Sequence, residues 1–376
     1  MYTHRIYLLL IACLLLALPR PANATSVDDP ETLELGAKAP DFNLQGTDDQ
    51  FYTLDSFSDA QLLAIVFTCN HCPTAQAYEE RIKQLVVDYE DKGVAIIAIS
   101  PNDPKSVRLD ELGYSDLNDS LEDMKIRAAD MDFNFPYLYD GDTQEVSMAY
   151  GPVATPHVFI FDEERILRYT GRIDDKEKIG AATIHDTRDA IDALLADKPV
   201  AVEKTKTFGC SIKWADKSGS VQRAYERWAK EPVSVAKIDV AGVKDLMKND
   251  TEDMLMINVW ATWCGPCVSE FPELVDINRM YRQRDFQFIT ISMDSPDLHE
   301  DVGEFLKDQQ ASNTNYHFSE DDSYALIEAI DPEWAGALPY TVFVKPGGEI
   351  FYRQMGEIDP MELKRQIVDY VGRYYD

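Results

Sequence analysis

Two pairs of cysteines, each separated by two residues, are the part of this sequence best suited to chemistry. They are Cys69-Asn-His-Cys72 and Cys264-Gly-Pro-Cys267, and each follows an apolar run and precedes an amphipathic stretch. A helix N-terminus stabilises a thiolate through its dipole and free amides, and a second thiol nearby can resolve a mixed disulfide. We therefore expect two redox-active disulfides, Cys69–Cys72 and Cys264–Cys267. Cys69 and Cys264 are the expected nucleophiles, and the second cysteine of each pair is the more buried, resolving partner.

The elements around the two pairs repeat. In the first half, strand-like runs over Leu62–Phe67 and Val94–Ser100 enclose a stretch with apolar residues at helical spacing. In the second half, Met254–Trp260 and Phe286–Ser292 enclose the predicted helix Val268–Tyr281 in the same way. Each half continues with an X–Pro dipeptide, a hairpin and a terminal helix. The repeated order predicts the α/β fold class, with two domains built on mixed sheets.

Length and composition agree with two domains. The 376 residues, 45% of them hydrophobic, suffice for two cores of about 150 residues each and a linker. The expected segments are a signal over residues 1–24, a first domain over 34–197, a connecting segment over 198–235 and a second domain over 236–376.

The N-terminal segment has the features of a secretion signal. An apolar stretch over Ile6–Leu18 precedes Ala22-Asn-Ala24, which provides a small-residue cleavage site. The stretch is too short for an ordinary membrane-spanning helix, and no later segment resembles one. The sequence therefore predicts an exported protein, periplasmic or extracellular, with no integral membrane segment in its mature chain. Lipid anchoring at Cys13 is the alternative.

The charge of the chain bears on its partners. A formal net charge of −31 gives a surface that repels nucleic acid and anionic membranes, and no basic patch offsets it. Nucleic acid is therefore not expected among the partners.

The second cysteine pair lies in a run, VWATWCGPCVSEFP from Val259 to Pro272, that resembles the exported TlpA/ResA branch of the thioredoxin superfamily. The resemblance extends over roughly residues 236–376 and implies a thioredoxin-like domain in which Pro339 forms a cis bond facing the dithiol. It also implies a role for Glu270, three residues after Cys267. A half-buried carboxylate with a raised pKa can carry a proton to or from the resolving thiol.

The first half, over roughly residues 34–215, resembles the redoxin (AhpC/TSA) group, specifically its peroxiredoxin-like members with the stretch Phe-Thr-Cys-Asn-His-Cys-Pro. The resemblance implies a second thioredoxin-like domain with Pro156 as its cis-proline. The sequence departs from true peroxiredoxins because their P-x-x-x-T-x-x-C motif is absent: Cys69 stands where the threonine would precede Cys72. Thiol peroxidase activity of this domain is therefore the alternative to disulfide exchange.

His71 lies between the two cysteines of the first pair. Its positive charge can stabilise the Cys69 thiolate, which would favour the reduced form and make this centre the better oxidant. A solvent-facing loop histidine is the alternative.

Cys210, in Gly-Cys-Ser-Ile-Lys-Trp, is an unpaired thiol. It can pair with Cys69 or Cys72, relay electrons between the domains, or be a buried apolar cysteine.

Metal sites are weaker interpretations of the same residues. Zinc ribbons place two C-x-x-C pairs about 15–20 residues apart, far closer than these. A Cu(I) site made by Cys69, Cys72 and a histidine such as His157 has suitable soft ligands and would make the chain a non-enzymatic copper carrier. We expect neither a metal nor a cofactor.

Together, the residues and the resemblances predict a thiol–disulfide oxidoreductase. Its expected partners are proteins that carry disulfides or dithiols, and an upstream redox donor.

Overall fold

Two mixed sheets, each covered by helices, form the two cores of the chain. The computed structural model describes residues 30–375, and the predicted signal segment with Cys13 lies outside these residues. Among the described residues, no helix is long and apolar enough to cross a membrane.

The first sheet has seven strands in the order β2-β1-β5-β4-β3-β6-β7. The strands are β1 Asn43–Gly46, β2 Phe51–Thr53, β3 Leu62–Phe67, β4 Val94–Ser100, β5 Tyr137–Tyr139, β6 His157–Phe161 and β7 Leu167–Gly171. The helices of this half are α1 Pro73–Tyr89, α2 Leu121–Asp130, α3 Glu145–Tyr150 and α4 Asp186–Leu195. β3 is parallel to β4 and antiparallel to β6, and all six of its residues are buried. Its unbroken apolar sequence fits a strand covered on both faces.

The second sheet has six strands in the order β13-β12-β9-β10-β11-β8. The strands are β8 Ala236–Ile238, β9 Met254–Trp260, β10 Phe286–Ser292, β11 Thr314–Phe318, β12 Tyr340–Val344 and β13 Ile350–Met355. The helices are α5 Gly219–Trp228, which precedes the sheet, then α6 Val240–Leu246, α7 Gly265–Tyr281, α8 His299–Asp308, α9 Ser323–Ile330 and α10 Pro360–Val371. β9 lies between parallel β10 and antiparallel β12, the same arrangement that surrounds β3. The predicted α/β class with two mixed sheets is confirmed.

Part of the segment between the two halves packs against the first sheet. Phe208 joins the core beside Tyr78, Lys204 bridges to Thr170 of β7, and Cys210 bridges to Thr155. In residues 198–214 these contacts bury single residues rather than a helix face, which explains the weak periodicity there. Further along the segment, α5 buries Ala224 and Trp228, one turn apart.

The two halves contact each other through the loop after β4. Val107 and Leu112 of this loop are buried among side chains of α7 and α10. The Tyr281 hydroxyl, at the end of α7, donates to Ser115 O over 2.8 Å, and buried Asp116 pairs with Arg373 at 2.6 Å. The loop thus joins the core of the second half.

Candidate active sites

The C-terminal site is the start of α7. Cys264 is the N-cap of this helix, its Sγ accepts a hydrogen bond from Cys267 N at 3.3 Å, and the two cysteines are joined by a disulfide. Cys264 is 6% exposed beside Trp263, which is 68% exposed, whereas Cys267 is 1% exposed. An incoming thiol therefore meets the Cys264 side of the disulfide first.

Glu270 lies one turn further along α7 and is buried. Its Oε2 accepts from Ile358 N at 2.9 Å and its Oε1 from Asn258 Nδ2 at 3.3 Å. Burial raises the pKa of Glu270 to about 7, against the opposing effect of these two donors. A carboxyl group with this pKa can both accept and release a proton at neutral pH.

A cis peptide bond precedes Pro339 at the C-terminal site and Pro156 at the N-terminal site. Leu338 packs against the cluster that contains Cys264 and Cys267, so the proline turn lies beside the disulfide. At the N-terminal site, Thr155 Oγ1 lies 3.2 Å from Cys69 Sγ.

The strand register aligns the two sites and places Cys72, not Cys69, at the position of Cys264. Phe67 pairs with His157, the residue after cis-Pro156, and Val259 pairs with Tyr340, the residue after cis-Pro339. Five residues beyond the paired strand residue, Cys72 caps α1 as Cys264 caps α7. We label residues 69–72, Thr155 and Cys210 the N-terminal site.

This alignment changes the expected roles in the N-terminal site. Because α1 begins at Pro73, the helix dipole and free amides act on Cys72, whose Sγ accepts from Ala75 N at 3.4 Å. Cys69 lies in the loop before the helix instead of at its start. Ala75 occupies the place of Cys267, three residues after the helix cap. The Cys69-Cys72 pair therefore has the same spacing as Cys264-Cys267 but lies three residues earlier relative to the start of its helix.

His71 is buried against Asp119. The exposed fraction of His71 is 2%, and its Nδ1 lies 2.5 Å from Asp119 Oδ2. Asp119 also accepts the backbone N–H groups of Asn70 and His71 at 2.8 and 3.1 Å, and Asn102 Nδ2 at 2.7 Å. Burial opposes the charge of the ring, but the Asp119 carboxylate outweighs it and raises the pKa of His71. The solvent-facing alternative for His71 is excluded.

Three free thiols lie together at the N-terminal site: Cys69, Cys72 and Cys210. Burial acts to raise the pKa of Cys72, but hydrogen bonds from Cys210 and Cys69 and the charge of His71 lower it well below its usual value. Burial and the hydrogen bond to Cys72 raise the pKa of Cys69. The structure therefore places the thiolate that His71 stabilises on Cys72, where the sequence interpretation placed it on Cys69.

The possible metal ligands differ from those expected. Within residues 30–375, donor atoms of Cys69, His71 and Asp119 lie within 4.8 Å of one another, and Nδ1 of His71 is hydrogen bonded to Asp119. Both ring nitrogens of His157 already have partners: its Nδ1 accepts from Val153 N at 3.3 Å and its Nε2 bonds to Thr170 at 3.0 Å. Burial lowers its pKa to about 3. The copper site with His157 is not supported.

Sequence reasoning missed Asp119 and Thr155. Asp119 is one of 67 acidic residues and lies in an acidic insertion, so nothing local distinguishes it. Thr155 could have been found, because it directly precedes Pro156, the proline that the sequence predicts beside the cysteines.

The two halves match two related families. The AhpC/TSA family matches residues 35–170, and the Redoxin family matches residues 244–370. The chain carries two redoxin-type domains in tandem. The predicted pair of thioredoxin-like α/β domains is thereby confirmed.

Individual relatives carry redox names. The thiol-disulfide oxidoreductase ResA of Oceanobacillus iheyensis is 30% identical over 96 residues, which cover 26% of this chain and 46% of that protein. The thiol:disulfide interchange protein DsbE of Escherichia coli is 27% identical over 175 residues, 44% of this chain and 79% of that protein. The chain thus spans less than half the length of the first of these relatives.

Solved structures are similar to parts of the chain. A hypothetical protein from Sinorhizobium meliloti 1021 is 33% identical, with 49% of this chain and 97% of that chain covered and a TM-score of 0.44. A thioredoxin-family thiol:disulfide interchange protein from Chlorobium tepidum TLS is 22% identical, with 34% and 83% covered and a TM-score of 0.28.

Proposed function

We propose that the chain is an exported thiol–disulfide oxidoreductase that exchanges disulfides with protein partners. The observation that carries the proposal is the C-terminal site, where a helix-capping disulfide, a cis-proline and a buried carboxyl group with a pKa of about 7 lie together. The names of the ResA and DsbE relatives support it, as does the signal-like segment over residues 1–24.

The C-terminal disulfide exchanges in two steps. A thiolate from a reduced donor attacks Cys264 Sγ, and the S–S bond breaks to leave Cys267 as a thiolate, which Glu270 can protonate. A second donor thiolate then attacks the donor sulfur of the mixed disulfide and releases Cys264. The donor dithiol is oxidised and the enzyme disulfide gains two electrons. The reduced pair passes these electrons to a protein disulfide by the reverse steps.

Insulin reduction by the full chain in the presence of dithiothreitol tests the proposal. Because Cys264 is the sulfur that substrates contact, Cys264→Ser in a Cys72→Ser background should lower the rate by about 10³-fold or more. The proposal would be contradicted by a wild-type chain whose thiols react with a thiol reagent but which neither reduces insulin nor oxidises a peptide dithiol.

The AhpC/TSA match over residues 35–170 supports a second candidate, thiol peroxidase action at the N-terminal site. Cys72 is then the group that attacks peroxide, because it caps α1. Consumption of hydrogen peroxide that is lost in Cys72→Ser and retained in Cys264→Ser would support this candidate. Equal, slow consumption by both variants would reject it.

A further inference from the structure

Cys72 has no partner cysteine on its own helix. The place that Cys267 occupies in the C-terminal domain is taken by Ala75, which is fully buried. A disulfide that includes Cys72 must therefore use a cysteine outside α1. The candidates among the described residues are Cys69 and Cys210, which both contact Cys72.

The backbone holds Cys210 against the cis-proline turn. Thr155 N donates to Cys210 O at 3.0 Å, and Thr155 O lies 3.5 Å from Cys72 Sγ. Gly209 has φ +140°, and a Cβ there would lie 2.0 Å from Thr155 O. Only glycine permits this close approach, which holds the segment that carries Cys210 against Thr155, the residue that also contacts Cys72.

Cys69 and Cys210 differ in accessibility. Cys69 is 2% exposed, and its sulfur lies 3.2 Å from Thr155 Oγ1. The two residues that follow it, Asn70 and His71, are fixed through their N–H groups to Asp119. Cys210 is partly exposed and lies on a segment outside any helix or strand. An external thiol can therefore reach Cys210 and cannot reach Cys69 or Cys72 without a structural change.

We propose that Cys72 and Cys210 form the disulfide of the N-terminal domain, and that substrate dithiols are oxidised by attack at Cys210. This inference rests on the proposed function, and it adds that the N-terminal disulfide accepts electrons from substrate dithiols. Cys69 is a positioning residue that lies against Cys72 and the Thr155 hydroxyl.

The exchange conserves atoms and electrons. A substrate thiolate attacks Cys210 Sγ, the Cys72–Cys210 bond breaks, and Cys72 leaves as a thiolate. The second substrate thiolate attacks the substrate sulfur of the mixed disulfide and releases Cys210, which takes up a proton. The substrate loses two electrons and two protons, one of which goes to solvent. A small-molecule or protein disulfide re-forms the Cys72–Cys210 bond by the reverse exchange.

The charges around Cys72 suit it to be the leaving group. A leaving thiol with a low pKa departs faster, and although burial acts to raise the pKa of Cys72, the charge of His71 and the backbone N–H of Ala75 lower it. The hydrogen bond to Cys72 and burial raise the pKa of Cys210, so Cys210 is reprotonated on release. Both effects favour attack at Cys210 over attack at Cys72.

Disulfide mapping of the full chain tests the inference. In a Cys264→Ser, Cys267→Ser background, the reduced protein is treated with oxidised glutathione, quenched with acid, alkylated and digested for mass spectrometry. The expected product is a Cys72–Cys210 linked peptide, present in Cys69→Ser and absent in Cys210→Ser. A Cys69–Cys72 linked peptide as the main product, or an intrachain disulfide that persists in Cys210→Ser, would overturn the pairing.

A second measurement tests the attacked sulfur. Limited reduced glutathione added to the oxidised protein should place glutathione on Cys210, and glutathione found mainly on Cys72 would overturn the proposed direction. Near-UV circular dichroism checks that Cys210→Ser and Cys69→Ser keep the native fold. The mapping uses glutathione and a variant without the C-terminal cysteine pair, so it does not depend on insulin reduction. A failure of the Cys72–Cys210 pairing can therefore be distinguished from a failure of the proposed function.

Discussion

At the C-terminal site, the first cysteine of the pair caps its helix and the second lies one turn inside it, whereas at the N-terminal site the second cysteine is the cap and the first lies in the loop before it. The residue before the cap differs as well. It is exposed Trp263 in one site and buried His71 in the other. Equal C-x-x-C spacing thus produces a disulfide within the first turn of a helix beside an exposed tryptophan in one domain. In the other domain it produces two buried thiols beside a third, partly exposed thiol, Cys210.

The proton-handling groups of the two sites also differ. Glu270 on α7 is a buried carboxyl group without a cationic partner, and its pKa is near 7. The position of Glu270 on α1 is held by Tyr78, whose hydroxyl donates to Asp174 at 2.7 Å. At the N-terminal site the carboxylate is Asp119, whose pKa is lowered because His71 and Asn102 outweigh its burial. Glu270 can exchange a proton at neutral pH, whereas Asp119 stays ionised and holds a charge on His71.

The contact between the domains lies away from Cys264. Tyr281, which bonds to Ser115, is at the far end of α7, about 25 Å from Cys264 at about 1.5 Å per residue. The domain contact therefore does not bring the C-terminal disulfide to the first domain. We expect each site to exchange electrons with its own partner.

The register difference predicts the largest effect. Ala75→Cys places a thiol where Cys267 lies in the other domain, so the reduced chain should form a disulfide between Cys72 and the introduced thiol on mild oxidation. Thr74→Cys, a neighbouring buried position, should form no such bond. Disulfide mapping by mass spectrometry distinguishes them. Failure of the first variant to cross-link, in a folded protein, would contradict the alignment of Cys72 with Cys264.

The second-largest effect is expected when the carboxyl group of Glu270 is removed, and it concerns the reactivity of Cys267. Below pH 7 the carboxyl is protonated and cannot accept the proton of the Cys267 thiol, so the rate at which Cys267 attacks a mixed disulfide should rise with pH through about 7. Glu270→Gln should lose this inflection and slow the step by about 10²-fold at pH 7.5.

The measurement is stopped-flow fluorescence of the reduced C-terminal pair against a disulfide peptide. Glu273→Gln, a more exposed acid on the same helix, is the matched control and should leave the profile unchanged. An unaltered inflection in Glu270→Gln would assign the proton transfer to another group.

Much of the fold follows from the sequence because its strands have unbroken apolar runs. The predicted bounds of β3, β4, β9 and β10 agree with the structure. The start of α1 at Pro73 could not be predicted from the sequence. Pro73-Thr-Ala has little helical periodicity, and the C-x-x-C spacing favoured a helix start near Cys69. Contacts that join distant segments, such as His71 to Asp119 and Cys72 to Cys210, leave no local pattern. The roles within the N-terminal site therefore could not be read from spacing alone.

Breaking the His71–Asp119 pair is expected to have a smaller effect, on the pKa of Cys72. Asp119→Asn removes the carboxylate that raises the pKa of His71, so His71 loses its charge near neutral pH and the pKa of Cys72 rises. The midpoint of the Cys72 thiol titration should rise by about one pH unit, a tenfold change in its acid dissociation constant, and the ultraviolet absorbance of the thiolate in a Cys264→Ser, Cys267→Ser background measures it. Asp123→Asn, which removes an acid that bonds to Ser120, is the control. An unchanged titration midpoint for Cys72 in Asp119→Asn would show that the pair does not stabilise the thiolate.

The smallest expected effect concerns the C-terminal segment over the N-terminal thiols. The Tyr375 ring packs edge-on to Tyr114 at 4.9 Å, and Arg284 lies 3.6 Å from the centre of the Tyr114 ring. Burial and then the nearby Cys210 and Cys72 raise the pKa of Tyr375 to about 12, so its phenol lies close to the thiols. Tyr375→Ala should therefore open the approach to Cys210.

We expect the reaction of Cys210 with a chromogenic aromatic disulfide to accelerate about threefold in Tyr375→Ala, which corresponds to roughly 0.7 kcal/mol. The rate is followed by release of the coloured thiol in a Cys264→Ser, Cys267→Ser background. Tyr374→Ala removes the neighbouring aromatic ring and should leave the rate unchanged. Equal acceleration in both variants would indicate general loosening of the segment, and the comparison would then no longer assign Tyr375 a specific effect on access to Cys210.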